Sequence, residues 1–381
     1  MNDPVYLDHN ATTPVAPDVA DAMAEALRES FGNPSSGYAA GQAAAERLAT
    51  ARRSVASLIG AAADDLVFAG CATEANNLAL LGVARASDPN KQHLVISAVE
   101  HPAVLEPARY LETQGWKLTI VPVDGTGRVS ADAVADALRP DTVLVSVMLA
   151  NNEVGTLQPV ADIARHTRSR NVLLHTDAAQ AVGKTKVDVE ALDVDLLTLA
   201  GHKFQASKGV GALYVRRGTP IRPILFGGGQ EQGLRPGTEN VPAIIGLGVA
   251  AELAVKRLKT SGDRLRERQD QLHGLLDAAI PELRLNGHPQ ERLPNTLNVS
   301  FPGVSGQALL AAASDTVMAS VGSACHANEP APSGVLGAMG LSTSRVLGAV
   351  RLSVGWETTA EEVEAAAAAL IKAWQRLATT A

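Results

Sequence analysis

Lys203 closes the run Asp195-Leu196-Leu197-Thr198-Leu199-Ala200-Gly201-His202-Lys203, and Asp177 closes the run Val172-Leu173-Leu174-His175-Thr176-Asp177. Both runs read as short apolar strands, so the pattern puts an amine and a carboxylate at the ends of neighbouring strands. An amine so placed can form a Schiff base, and a carboxylate can keep a ring nitrogen protonated. Those are the two requirements of pyridoxal 5'-phosphate (PLP), whose ring then acts as an electron sink. Many strands end in Asp or Lys, so the pair alone decides nothing.

Other stretches carry chemistry of their own, each with a plainer alternative. Gly70-Cys71-Ala72-Thr73-Glu74-Ala75-Asn76-Asn77 follows a strand and opens a helix. Free N–H groups at a helix start, with the Thr73 hydroxyl, suit a phosphate. Thr73 could equally be an ordinary N-cap, with Glu74 in the first turn. His101, in Glu100-His101-Pro102, is placed to stack on a ring and shuttle protons, or to be a structural loop histidine. The amides of Asn151-Asn152-Glu153-Val154-Gly155 suit a phenolic oxygen or a carboxylate, or an Asx turn. Gln180 lies one helical turn beyond Asp177, where it would meet a ring hydroxyl. The Gly-rich segment 226–240 lacks the Gly-Lys-Ser/Thr ending of a Walker loop and reads otherwise as a surface loop. Cys325 sits among small residues in Ser320–Pro332, a composition expected of an exposed loop with a reactive thiol, whereas Cys71 is expected to be buried, inert packing.

Composition bounds the partners. The chain has 381 residues, 46% hydrophobic and 19% charged, so an ordinary globular protein of two to three domains is expected. A formal charge of −7 and only 3% aromatic residues argue against nucleic acid or an anionic membrane. Met1-Asn2-Asp3-Pro4 has no basic and apolar leader pattern, and no apolar run approaches the ~18 residues of a membrane span. The two cysteines form no zinc spacing, so no metal site is expected and a reducing cytoplasm is the natural location.

The elements that must hold these residues alternate between about residues 17 and 250. Short apolar runs at 65–68, 93–97, 118–121, 142–146 and 172–174 suit strands buried on both faces, and Val160–Arg168 suits a connecting helix. The expectation is an α/β fold with a mostly parallel sheet, its ligand beyond the carboxyl ends of the strands. After about residue 255 the pattern changes to a charged helix at 264–279, strands at 296–300 and 350–354, and a final helix at 360–377. That reads as a smaller α+β domain, joined to the first by a bridging helix at 243–258. The division expected is 15–257 for the large domain, with 1–14 and 258–381 forming the small one.

Taken in order, these stretches resemble the cysteine desulfurases of the NifS/IscS type, which are fold-type I PLP enzymes. The resemblance runs from Tyr6-Leu7-Asp8-His9-Asn10-Ala11-Thr12-Thr13-Pro14 to Arg351-Leu352-Ser353-Val354-Gly355. It includes Phe31-Gly32-Asn33-Pro34-Ser35-Ser36, Ala72-Thr73-Glu74, Asn151-Asn152-Glu153, Asp177-Ala178-Ala179-Gln180, Gly201-His202-Lys203 and Gly322-Ser323-Ala324-Cys325. The resemblance implies a seven-stranded large-domain sheet and makes Lys203 the Schiff-base lysine. Asp177 would then pair with the pyridine nitrogen, Gln180 with the ring oxygen, and His101 would stack on the ring. Ala72, Thr73 and His202 would hold the phosphate, and Thr238 would reach the phosphate of a neighbouring subunit in a homodimer. Asn152, Arg351 and nearby Asn33 would bind the substrate carboxylate, and Cys325 would take the sulfur. The implied reaction converts L-cysteine to L-alanine and leaves a persulfide for an acceptor protein, such as an iron–sulfur scaffold.

Ala200 stands where many members carry a phosphate-binding Ser, so that contact is missing or supplied otherwise. The stretches 318–326 and 226–230 also resemble selenocysteine lyases, which would make L-selenocysteine the substrate. A fold-type I aminotransferase would leave Cys325 without a task. A silent scaffold would leave Lys203, Asp177 and His101 without one.

Overall fold

The structure is a computed structural model that describes residues 3–261, 263–322 and 333–379. Seven strands form its central sheet in the spatial order Leu66–Ala69, Gly211–Val215, Leu196–Ala200, Leu173–Asp177, Thr142–Ser146, His93–Ser97 and Lys117–Val121. Gly211–Val215 is antiparallel to both neighbours, and the other pairs are parallel. The α/β class with a mostly parallel seven-stranded sheet is as expected.

Strands His93–Ser97 and Leu196–Ala200 are buried at every residue, as strands covered on both faces must be. Lys117–Val121 departs from that expectation, because it lies at the sheet edge where cover is incomplete. Its Ile120 is 44% exposed. Because the strands are parallel, their carboxyl ends share one edge of the sheet. Helices Ala72–Ala86 and Pro102–Thr113 and the short turn Gly201–Lys203 all begin there. Cys71, His101, Asp177 and Lys203 are therefore gathered from positions far apart in sequence.

A second, antiparallel sheet has the order Ala349–Ser353, Thr296–Ser300, Arg284–Asn286 and pairs Asn298 with Arg351. Helices Arg264–Ala279 and Ala360–Ala378 contribute Leu272, Leu276, Val363 and Leu370 to its core, together with Val5 and Leu7 from the chain start. The last helix opens on a reciprocal cap between Thr359 and Glu362. Val5–Tyr6 pairs with Val317–Met318, which ties the N-terminal segment to this second core.

Helix Val241–Thr260 differs from the bridge expected. It packs along helices Pro17–Glu29 and Ala39–Leu58 as part of the large core. A methyl group on Gly248 would lie 2.7 Å from the Ala51 Cα, so only hydrogen permits this approach. The bridging contact is made by its last turn, where Arg257 bonds Gln205 and pairs with Glu357 at 2.8 Å. Among the described residues no helix is long and apolar enough to cross a membrane.

Candidate active site

Lys203 lies in the turn after strand Leu196–Ala200, and its Nζ donates to the carbonyls of Asn10 at 2.6 Å and Ala11 at 2.8 Å. Asn10 is the hub of the surrounding network. Its carbonyl also accepts from Gln180 Nε2 (2.9 Å), and its Oδ1 accepts from Asn295 Nδ2 and Lys184 Nζ, both at 3.0 Å. Its Nδ2 donates to Thr296 Oγ1 and to the Asn152 carbonyl. Neither Asn10 nor Lys184 was singled out from the sequence. The signal available for Lys184 was its spacing, four residues and so one helical turn after Gln180, with Ala181-Val182-Gly183 between them.

Asp177 closes its strand with one donor on each oxygen, Asn76 Nδ2 at 2.7 Å and the Ala179 N–H at 2.9 Å. Beneath it the wholly buried His175 bonds Ser146 and Thr198, and burial pushes its pKa down to about 4. His101 caps helix Pro102–Thr113, accepting the Ala103 N–H on Nδ1 at 3.1 Å. That leaves Nε2 as the nitrogen that carries the proton in the neutral ring. Burial holds the His101 pKa below its ordinary value; the charge of Asp177 opposes this shift and that of Lys203 adds to it. Both charges therefore act on the same imidazole.

Glu100, next to His101, is buried and accepts from Ser97 Oγ (2.5 Å) and the Met148 N–H (2.9 Å) on one oxygen only. Its other oxygen has no hydrogen-bond partner, and burial pushes its pKa up to about 8. It is therefore a neutral acid at neutral pH.

At the start of helix Ala72–Ala86 the structure corrects two expectations. Cys71 is exposed, and it is the N-cap, its sulfur accepting the Glu74 N–H at 3.4 Å. The helix starts at Ala72, immediately after Cys71, so Cys71 rather than Thr73 takes the cap position. Thr73 is instead exposed in the first turn, beside Ala72. The Gly-rich segment is anchored here. Buried Glu231 pairs with Arg52 at 2.5 Å and accepts the Phe68 N–H, and Arg235 pairs with Glu74 at 2.9 Å. His202 bonds Thr12 Oγ1 at 3.1 Å, and burial, with the charges of Lys203, Lys208 and Lys184, pushes its pKa down to about 4. Ala200 is buried and brings no polar group.

Arg351, on the second sheet, is 2% exposed and reaches Asp8 and the Asn152 carbonyl. Its Nη2 pairs with Asp8 at 2.6 Å, its Nη1 donates to the Asn152 carbonyl at 3.1 Å, and its Nε has no hydrogen-bond partner. The Asn151 side chain makes the Asx turn, accepting from the Glu153 and Val154 N–H groups. Asn33 is exposed and its Oδ1 accepts the Ser35 N–H, so no described contact joins it to this cluster. Thr238 is exposed on the loop before helix Val241–Thr260. Cys325 lies outside the described residues. Before that stretch Ser320 pairs with Arg351, and after it Ser333 Oγ donates to Glu153 at 2.5 Å.

The residues present fit PLP. An amine, a carboxylate already oriented by two donors, a neutral imidazole and a carboxamide converge at one sheet edge, beside the start of a 15-residue helix, whose first N–H groups have no partner within the helix. A methyl group on Gly211 would meet the Leu199 carbonyl oxygen at 2.8 Å and the Ala72 nitrogen at 3.1 Å, so the sheet and this helix start are in close register.

The aminotransferase class-V family matches residues 5–366. A cysteine desulfurase IscS of Methanosarcina thermophila is 44% identical over 95% of this chain and 90% of its own. Among solved structures, a NifS-like protein superposes with a TM-score of 0.91 at 38% identity, covering 99% of this chain and 100% of its own. Another, SspA in complex with cysteine, has a TM-score of 0.82 at 35% identity, covering 92% of this chain and 98% of its own. The chain therefore belongs to the class-V aminotransferase family of PLP-dependent enzymes, and within it to the cysteine desulfurases of the NifS/IscS type.

Proposed function

We propose that this enzyme converts L-cysteine to L-alanine and retains the sulfur as a persulfide on Cys325, for delivery to an acceptor protein such as an iron–sulfur scaffold in the cytoplasm. The supporting observation is the convergence of Lys203, Asp177 and His101 at one sheet edge, with Arg351 brought to it from the second sheet. PLP bound there supplies the electron sink that stabilises negative charge at the substrate Cα.

Lys203 anchors the cofactor and its Nζ then takes the Cα proton. Asp177, fixed by Asn76 and the Ala179 N–H, would hold the ring nitrogen protonated, and Gln180 would bind the ring oxygen. Ala72, Thr73 and His202 hold the phosphate, and Thr238 serves the same end in the partner protomer of a homodimer; its exposure suits that task. Arg351, Asn152 and Asn33 receive the substrate carboxylate. Asp8 now holds the Arg351 Nη2, so the substrate carboxylate replaces one acidic partner by another. His101 is neutral and donates from Nε2 to the substrate sulfur. The Cys325 thiolate attacks that sulfur; an S–S bond forms, the substrate C–S bond breaks, and its electron pair remains on the carbon that becomes the alanine methyl.

The two apolar cores support dividing the chain into a large domain, 15–257, and a small one, 1–14 with 258–381. The test is alanine release from L-cysteine and L-selenocysteine by the wild type and Cys325→Ala. The variant should lose at least ~100-fold on cysteine. Full-rate sulfide release by that variant would exclude the persulfide route. A preference for selenocysteine that survives the substitution would assign a lyase instead.

A further inference from the structure

Lys184 is unused by the reaction described, yet it is the most deeply enclosed amine in the site. It is 5% exposed, and its Nζ donates to two amide oxygens, Gln180 Oε1 at 2.7 Å and Asn10 Oδ1 at 3.0 Å. Among the described residues no carboxylate lies within 4.0 Å of that nitrogen, whereas its neighbours in charge are Lys203 and Arg351. His9 and His202 also lie within its field. A lysine buried without a carboxylate is costly, and such groups persist where they orient something.

The object it orients is Gln180. A carboxamide has an acceptor end and a donor end, and either could face the cofactor. The Lys184 ammonium or amine bonds the oxygen, so the NH2 end is turned the other way, where one hydrogen goes to the Asn10 carbonyl at 2.9 Å. The same carbonyl accepts from Lys203 at 2.6 Å. Gln180, Asn10 and Lys203 are thus linked through a single oxygen, and Lys184 fixes the first two.

We propose that Lys184 is a positioning residue that holds the Gln180 amide with its NH2 toward the cofactor's ring oxygen, and so sets the acidity of the Lys203 imine. This rests on the PLP-enzyme reading above. Burial first, then the charges of Lys203 and Arg351, push the Lys184 pKa well below its usual value, which agrees with a site where a donor matters more than a full charge.

The experiment measures two quantities on purified protein: the dissociation constant of PLP from the resolved enzyme, and the pH midpoint of the visible band of the loaded enzyme. Lys184→Met should weaken PLP binding by about fivefold or more and move the midpoint up by about half a unit, since a lost donor near the ring oxygen favours the protonated imine. Lys184→Arg, which keeps a donor, should recover most of the midpoint shift. Gln180→Leu should reproduce the shift, and adding Lys184→Met to it should change little further. Variants are compared only if they melt cooperatively, and Lys184→Leu replaces Lys184→Met if the latter does not fold. A midpoint unchanged in the neutral variant, or shifts that add in the double variant, would overturn the proposal. A wild type that forms no visible band would instead sink the PLP reading itself.

Discussion

Lys203 donates to the carbonyls of Asn10 and Ala11, which orient its amine. That suits the role proposed for it, in which the nitrogen bonds to a cofactor, leaves it and takes a proton. Lys203→Ala should abolish both the visible band and alanine release, a loss of at least ~1000-fold, and borohydride should then fix no pyridoxyl group on the chain. A variant that keeps the band would place the imine on another lysine. Glu100 offers a second test. Its raised pKa means that its contribution to stability is complete below about pH 4.5 and is lost as pH rises through about 8. Glu100→Gln, which removes that titration, should gain on the order of 2 kcal/mol relative to wild type between about pH 5 and pH 7 in urea unfolding. A constant difference across that range would show the carboxyl to be ionised and partnered.

At the scale of elements, the parallel strands were readable because strands covered on both faces leave unbroken apolar runs, and their carboxyl ends mark the ligand edge. The placement of Lys203, Asp177 and His101 at that edge was legible for that reason; their roles remain the proposal. What was not legible depends on tertiary convergence. Asn10 acts on Gln180 and Lys203 across 170 and 193 residues of chain, and no local pattern announces such a hub. Cys71 was misread because small apolar thiols are usually buried, whereas here the helix begins immediately after it. The register of that helix start against the sheet is testable at Gly211. Gly211→Ala would place its methyl between the Leu199 carbonyl and the helix start and should cost about 1–3 kcal/mol of stability. It should also weaken PLP binding, because the N–H groups proposed to hold the phosphate move with the helix. Wild-type PLP affinity in a folded Gly211→Ala protein would separate the helix start from the cofactor.

For the whole molecule, buried imidazoles dominate acid stability. His9, His175 and His202 are each pushed down to about 4 by burial, so an unfolded chain takes up their protons before the folded one does. Their contribution is complete above about pH 6.5 and is lost as pH falls toward 4. Glu100 opposes them with one proton against three, so unfolding midpoints should rise with pH from about 4.5 to 6.5. A flat or falling profile in that window would mean that these rings are solvated. The two cores meet where Arg351 joins Asp8 and Asn152, so the proposed site for the substrate carboxylate lies at their junction.

The central claim is that one sulfur atom passes from cysteine to Cys325 under the control of Lys203. Mixing the PLP-loaded enzyme with an equimolar amount of L-cysteine, without acceptor or reductant, and weighing the proteolytic peptide that carries Cys325 tests it directly. The peptide should gain the mass of one sulfur atom in step with alanine formed, and should gain none in Lys203→Ala. Alanine appearing while that peptide stays unmodified would contradict the account.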